Sequence, residues 1–364
     1  MKVLFFLVFP ETNAGTRYRV YKYLPYLSQR DIAYTLCPPM PDKLFQTLYQ
    51  TRNPFKKVLY YLLSYLVRLF QLVKVRNHDI IFIQQGLSYF GPPVLERLLA
   101  KLNPNIIFDT DDAHFTKPAF ATGFAARFHD RERMAKLCKL ACEVIVSVTF
   151  ISDYAKRYNP NVTVIPTSID LANYQLKEYK ADVTSRVVIG WAGTASGLMY
   201  LRRLTPVLQR LAETHDILLK IICSEFIEID SVEIHQQKWS LENEIANLQS
   251  LDIGIMPLAN TAFERGKGGF KLIQYMGVGV PVVCSPIGVN VNLVQDGANG
   301  FLANSPDEWF DKLLQLIESP FLREYFGRKG RESIEGRFTT EANAEKLMDV
   351  LQKAMKKRSA RQIK

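Results

Sequence analysis

Residues 263–286 read FERGKGGFKLIQYMGVGVPVVCSP. Gly266, Gly268 and Gly269, with Lys267 and Lys271, lead into a short apolar helical pattern, and a continuous apolar run follows at 280–284. Glycines let successive backbone N–H groups turn toward one point, a helix N-terminus adds partial positive charge, and lysines add whole charges. That combination holds a phosphate or diphosphate. A second loop, DTDDAH at 109–114, sets three carboxylates beside an imidazole. Such a cluster can hold a divalent metal, orient sugar hydroxyls or raise one carboxyl's pKa for proton transfer. It can also hold a simple helix cap at Asp109 or Asp112. His114 is the best single candidate for a polar contact near a reacting centre.

Two further loops carry donors. GWAGTASG at 190–197 joins a strand to a helix and can accept an anion through backbone N–H groups, with Thr194 and Ser196 adding hydroxyls; otherwise it is a tight connection. Its glycine spacing is not that of a dinucleotide fingerprint. ETNAGTRYR at 11–19 sets Gly15, Arg17 and Arg19 at a helix start, where the arginines meet a sugar or phosphate or simply face solvent.

The elements that must position these loops alternate. Apolar runs at 2–9, 32–36, 79–84, 105–109, 143–148 and 162–165 predict strands, with helices between them, one at 17–29. After a connection at 167–182 the pattern restarts: strand 186–191, helix 198–212, strand 217–223, helix 242–248 and strand 251–257. Beyond the glycine segment come a strand at 300–302 and helices at 307–318, 321–335 and 341–357. Continuous rather than alternating apolar strands predict parallel sheets covered on both faces, and such sheets bind ligands at the carboxyl ends of their strands.

At 364 residues the chain exceeds one hydrophobic core, and 48% hydrophobic with 23% charged residues describes an ordinary folded protein. A net charge of +10 suits an anionic partner. Five scattered cysteines offer neither a disulfide framework nor a two-pair zinc spacing, which predicts reduced thiols and a cytoplasmic location. The apolar N-terminus is too short for a signal peptide and reads as the first strand. The stretch 52–76 opens on Arg52, closes on Arg76, and carries six basic residues, no acidic ones and a dense apolar middle. Arg68 interrupts it too early for a transmembrane span, so it is expected either to lie in an anionic membrane interface or to pack on the N-terminal sheet. The basic C-terminal tail is expected to be frayed and solvated. Aromatic interleaving for single-stranded nucleic acid is missing, so no nucleic-acid partner is expected.

The chain resembles the family-4 retaining glycosyltransferases of GT-B architecture. The resemblance rests on IGWAGT at 189–194, DIGIMPL at 252–258, KGGFKLIQYMGVGVPVVCSPIGVN at 267–290 and DGANGFLA at 296–303, with GTRYRV, IIFDTDDAHF and ISDYAKRY…VTVIPTSID in the first half. It implies an α/β protein of two Rossmann-like domains facing across a cleft: an acceptor-side domain at 1–166, the connection at 167–182, a nucleotide-sugar domain at 183–340, and a helix at 341–364 packing back on the first domain. The family's ribose-binding glutamate falls at Gln274, and its partner glutamate at Gly266, whose role stays unassigned. No lysine follows Gly193, so Lys267 and Lys271 are expected to replace the basic pair that neutralises the diphosphate.

The implied activity is hexosyltransferase-type transfer from a UDP- or GDP-sugar to a glycan or lipid-linked acceptor with retention, in surface polysaccharide or glycolipid synthesis, with no metal or other cofactor. Catalytic roles fall to His114, Asp112 and Lys271; donor binding to Gly193, Thr194, Lys267, Gly268, Gly269, Lys271 and Gln274; the sugar or acceptor side to Gly15, Arg17, Arg19 and Asp111. The alternatives are a sugar-nucleotide epimerase of the same fold and a non-catalytic nucleotide-sugar-binding protein. The expected location is cytoplasmic, with peripheral attachment to the inner face of the membrane through residues 52–76.

Overall fold

The computed structural model describes residues 1–49, 51, 53–88, 91–116, 130–179 and 186–362. Arg52 and residues 180–182 of the expected connection lie outside the described residues. Two compact units divide the chain. Unit 1 comprises Met1–Ser168, Gly266–Gly268 and Thr340–Lys364; unit 2 comprises Ile169–Arg265 and Gly269–Thr339.

Unit 1 is built on β1 (Lys2–Phe6), β2 (Ala33–Cys37), β3 (Ile80–Gln84), β4 (Ile106–Thr110), β5 (Glu143–Val146) and β6 (Val162–Val164). They form one parallel sheet in the order β2-β1-β3-β4-β5-β6. β3 and β4 are buried at every position, as continuous apolar runs require when helices cover both faces. The crossover from β2 past β1 to β3 reverses the winding, so the loops after β1 and β3 splay apart there. That is the place where open α/β sheets take ligands.

Unit 2 repeats the plan with β7 (Val187–Ala192), β8 (Ile217–Ile222), β9 (Ile234–Gln237), β10 (Ile253–Met256), β11 (Val282–Cys284) and β12 (Phe301–Leu302), ordered β12-β11-β10-β7-β8-β9 and parallel throughout. Its reversal falls between β7 and β10. β9 was not expected: its sequence, IHQQ, carries one apolar residue and sits half-exposed at the sheet edge. Two expected helices are broken. The helix expected at 17–29 is Ala14–Arg19, a 3-10 turn and Leu24–Ser28, with Pro25 in the first turn of the last piece; the one at 198–212 breaks at Arg202–Leu204, ahead of Pro206. All five cysteines are buried thiols.

The C-terminal helix Thr340–Gln362 belongs to unit 1, where Ala344, Leu347, Met348, Leu351 and Ala354 join the core of Val3, Phe5, Ile80 and Ile107. The expectation of a solvated basic tail is corrected at two residues. Lys357 donates to Glu143 Oε1 at 2.6 Å and Arg358 to Asp79 Oδ1 at 2.5 Å, because the helix carries both past the amino ends of the strands.

Close approach of backbone fixes one helix of unit 2. A β-carbon on Gly327, in the helix Pro320–Ile334, would lie 2.1 Å from the carbonyl oxygen of Gly279. Gly327→Ala is therefore expected to destabilise unit 2 by about 1–3 kcal/mol, read as a fall in the thermal unfolding midpoint. An unchanged midpoint would show that the two backbones are not in contact.

Candidate functional site

In unit 2 the helix Phe270–Gly277 meets the end of β7. Its first residues follow Gly269, which takes the left-handed conformation (φ 66°) and caps the helix without a side-chain hydrogen bond. A β-carbon there would also strike Leu293 and Val289 at 2.6 and 2.7 Å. Two residues four apart dock the helix on β7, as i and i+4 share a face. Tyr275 lays its ring on Gly254 and its hydroxyl accepts the Ala192 N–H at 2.8 Å. Lys271 brings its ammonium over the Trp191 ring, 4.4 Å from the centroid. A β-carbon at Gly193 would lie 2.4 Å from Lys271 Nζ, so a side chain there would displace the ammonium. Thr194 follows, exposed, its hydroxyl 3.0 Å from that of Ser196.

Of the residues assigned to the donor, the structure thus brings together Gly193, Thr194, Gly269 and Lys271 in unit 2. Gln274, on the same helix, is 7% exposed and its amide donates to the Tyr174 hydroxyl at 3.0 Å. Glu264, near the unassigned Gly266, is buried and accepts from the Tyr200 and Thr261 hydroxyls. Lys267 and Gly268 group with unit 1. A β-carbon on Gly268 would sit 3.9 Å from both Ser147 and Thr167, and the Lys267 charge acts on Asp112.

In unit 1 the loops after β1, β3 and β4 converge. Asp111 accepts from Gln85 Nε2 at 2.7 Å, while its carbonyl accepts from Ser147 Oγ at 2.7 Å. A β-carbon on Gly15 would lie 3.7 Å from Asp111 Oδ2. Asp112 is pushed up to about 7 by burial and then by the Asp111 charge, against the opposing pull of Lys267. The His114 N–H donates to the Asp112 carbonyl at 2.9 Å. Its imidazole is held below the ordinary histidine range by burial and by Arg133, with Asp111 opposing, and so is neutral near pH 7. His114 Nε2 is buried without a hydrogen-bond partner among the described residues.

His114 lines a cavity of about 170 Å³ together with Arg68, Gln85, Gly86, Thr110 and Arg133. Arg133 forms an ion pair with buried Glu96 and donates to the Gly91 carbonyl at 2.7 Å, which ties down the loop after β3. Gln85 holds φ at 59°, a left-handed conformation in a non-glycine residue that often marks a functional loop. No motif pointed to Gln85 or Arg133, and only the strand-end position of Gln85 hinted at a site; Trp191 lies within the loop at 190–197 that the sequence marked for an anion.

Arg19 corrects the expectation of a sugar-side group, and neither it nor Arg17 faces solvent. Both are buried. Arg19 pairs with Asp109 through two nitrogens and donates to the Ile165 carbonyl at 2.5 Å. Arg17 donates to the Glu11 carbonyl at 3.3 Å, stapling its own loop. Asp109 is spent on Arg19, so the cluster facing the loops is Asp111, Asp112 and His114. Among the described residues no three His, Cys, Asp or Glu side chains form a metal-ligand set.

Residues 207–319 match the family model described as Glycosyl transferases group 1. Two solved structures align over 97% of the chain: sucrose-phosphate synthase from Thermosynechococcus elongatus, at 15% identity, 98% of that chain and a TM-score of 0.68, and HepE of Anabaena in complex with UDP and glucose, at 15% identity, 99% of that chain and a TM-score of 0.66. Residues 207–319 of unit 2 are thus similar to the group 1 glycosyl transferases, and the chain has the GT-B fold. An 83-residue stretch is also 28% identical to spore coat protein SA of Bacillus subtilis (strain 168), spanning 22% of each protein.

The raised Asp112 pKa gives a sign to the pH dependence of this GT-B chain. A carboxyl raised from about 3.9 unfolded to about 7 folded stabilises most below the lower value, and that stability is lost as pH rises through about 7. The thermal midpoint of Asp112→Asn relative to the parent is therefore expected to climb between pH 4 and pH 7 and then level off. A difference independent of pH would place the Asp112 carboxyl in water.

Proposed function

We propose that this protein is a retaining glycosyltransferase that moves a hexose from a UDP- or GDP-sugar to a glycan or lipid-linked acceptor, in surface polysaccharide or glycolipid synthesis. The observation that carries the reading is the Lys271 ammonium seated against Gly193 at the end of β7, Lys271 lying within residues 207–319 that match the group 1 family model and Gly193 a short way before them. HepE is described in complex with UDP and glucose, and UDP chemistry is extended to this chain on the strength of the shared fold and that cation.

As the bond from the anomeric carbon to the nucleoside diphosphate breaks, negative charge grows on the leaving phosphate. Lys271 and the backbone N–H groups at Thr194 and the first turn of the helix Phe270–Gly277 stabilise that charge, and they stand preorganised before reaction, while the Gly193 N–H is held by the Ile222 carbonyl at 3.0 Å. Gln274 offers a ribose an amide already oriented by Tyr174. In unit 1, neutral His114 can both donate to and accept from a hydroxyl, and Asp112, near its pKa at neutral pH, can take a proton from an acceptor hydroxyl. Retention requires the acceptor to attack from the face the diphosphate leaves. No step of this scheme needs a metal, and five buried thiols suit the cytoplasm.

Lys271→Ala is expected to lower transfer by roughly 100-fold, the scale of one preorganised contact, in an assay that follows release of the nucleoside diphosphate. Unchanged turnover would remove Lys271 from this role. EDTA is expected to leave the rate intact; strict dependence on an added divalent ion would turn Asp111 and Asp112 into its ligands. Tight nucleotide-sugar binding without transfer or hydrolysis would reduce the protein to a binding module, and isomerisation of the donor alone would make it an epimerase.

A further inference from the structure

The helix Pro54–Gln71, continued by the turn Leu72–Asn77, is apolar on two opposite sides. Its inner side recurs every four residues at Tyr60, Ser64, Arg68 and Leu72, all buried. Tyr60 packs with Met40 and Phe45, while Arg68 donates to the carbonyls of Leu7 and Cys37, the latter at 2.7 Å. On the outer side Phe55, Leu62, Phe70 and Val73 are 83%, 61%, 77% and 76% exposed. Val58, Leu59, Leu66 and Leu69 fill the gaps between them, each at least 40% exposed. Steps of three and four residues keep all eight on one face, about 30 Å long at 1.5 Å per residue. A contiguous apolar strip of that length on a folded surface marks a contact with something else.

The charge around the strip selects what covers it. From residue 43 to 78 there are seven Lys and Arg and no Asp or Glu, so seven of the ten net positive charges of the whole chain fall in these 36 residues. Lys56 is exposed at one end of the strip, and Lys74 and Arg76 at the other. A second copy of the chain fits poorly. Antiparallel strips would set Lys56 against Lys74 and Arg76, parallel ones would set each base against itself, and no acid lies within the stretch to compensate. A sheet of anionic headgroups satisfies both ends at once while the strip enters the acyl boundary. By length and composition residues Pro54–Asn77 are also apolar enough to cross a bilayer. A span would strip Tyr60 of its packing and Arg68 of two carbonyls, which favours a helix lying in the interface.

We propose that the outer face of this helix seats the protein on an anionic membrane surface. Arg68 of the same helix lines the unit 1 cavity, so docking brings that cavity to within about one helix diameter, roughly 10 Å, of the headgroups. The seat does not rest on the transfer reaction and is tested without it.

The full-length protein is sedimented with phosphatidylcholine vesicles, with and without phosphatidylglycerol, at low and high salt. It is expected to partition onto the phosphatidylglycerol vesicles and to be released by salt. Leu62→Asp with Leu66→Asp, both on the exposed face, is expected to abolish binding with the thermal midpoint unchanged. Replacing Lys56, Lys74 or Arg76 by Gln is expected to weaken binding about fivefold each. Absence of binding to phosphatidylglycerol vesicles, or equal binding to neutral ones, would overturn the proposal. So would a dimer in light scattering that the aspartate pair dissociates and that ignores vesicles.

Discussion

The arrangement of unit 2 depends on one contact, a lysine ammonium occupying the space where residue 193 would carry a β-carbon. The contact is possible because Tyr275, one turn further along the same helix, already fixes the end of β7 by accepting the Ala192 N–H. The helix and the strand-end loop are therefore held in register by two side chains four residues apart. The glycines nearby do different work. Gly193 and Gly254 surrender side-chain volume to Lys271 and Tyr275, whereas Gly269 supplies a left-handed backbone that starts the helix at the right place. Each fits its neighbour too closely for an added methylene to be absorbed without displacing the cation or the helix.

How much of this was legible in the sequence follows from how local each signal is. Parallel strands buried on both faces leave continuous apolar runs, and eleven of the twelve strands lie where such runs predicted them to within a few residues, β6 and β12 being short but marked. β9 escaped because an edge strand with three polar residues in four has no such run. The glycine corner was legible because its charges, glycines and apolar helix are adjacent in sequence. Arg19 misled because the direction of a side chain on a helix start is set by partners that local sequence does not reveal. Asp109 lies 90 residues beyond Arg19. Arg133 gave no signal and Gln85 only a strand-end position, since their roles come from an ion pair to Glu96 and a strained loop.

Glutamine in place of the carboxylate suggested by the family resemblance has a physical consequence at position 274. The side chain is buried, and a carboxylate there would need a cation or several donors to offset desolvation. The neutral amide is instead satisfied by donating to the Tyr174 hydroxyl. Position 274 can thus stay packed without ligand, at the cost of the stronger charge-assisted bond a carboxylate would offer a ribose.

In unit 1 the buried ion pair of Arg19 and Asp109 does more than hold the helix Ala14–Arg19 to β4. Breaking such a pair by removing one partner costs about 3–5 kcal/mol, because the other charge is left buried and alone. With Asp109 committed inward, Asp111 and Asp112 remain as neighbouring carboxylates at the loop, and two adjacent negative charges in a partly dry site cannot both form freely. The hydrogen bond from Gln85 settles on Asp111, and burial with the Asp111 charge raises Asp112. One carboxyl is thereby fixed as an acceptor while the other can carry a proton near neutral pH. A neutral His114 beside them adds a group that can donate and accept. A hydroxyl entering this loop meets acceptor, proton carrier and imidazole in one place, and the pair beneath them keeps β4 fixed while they act.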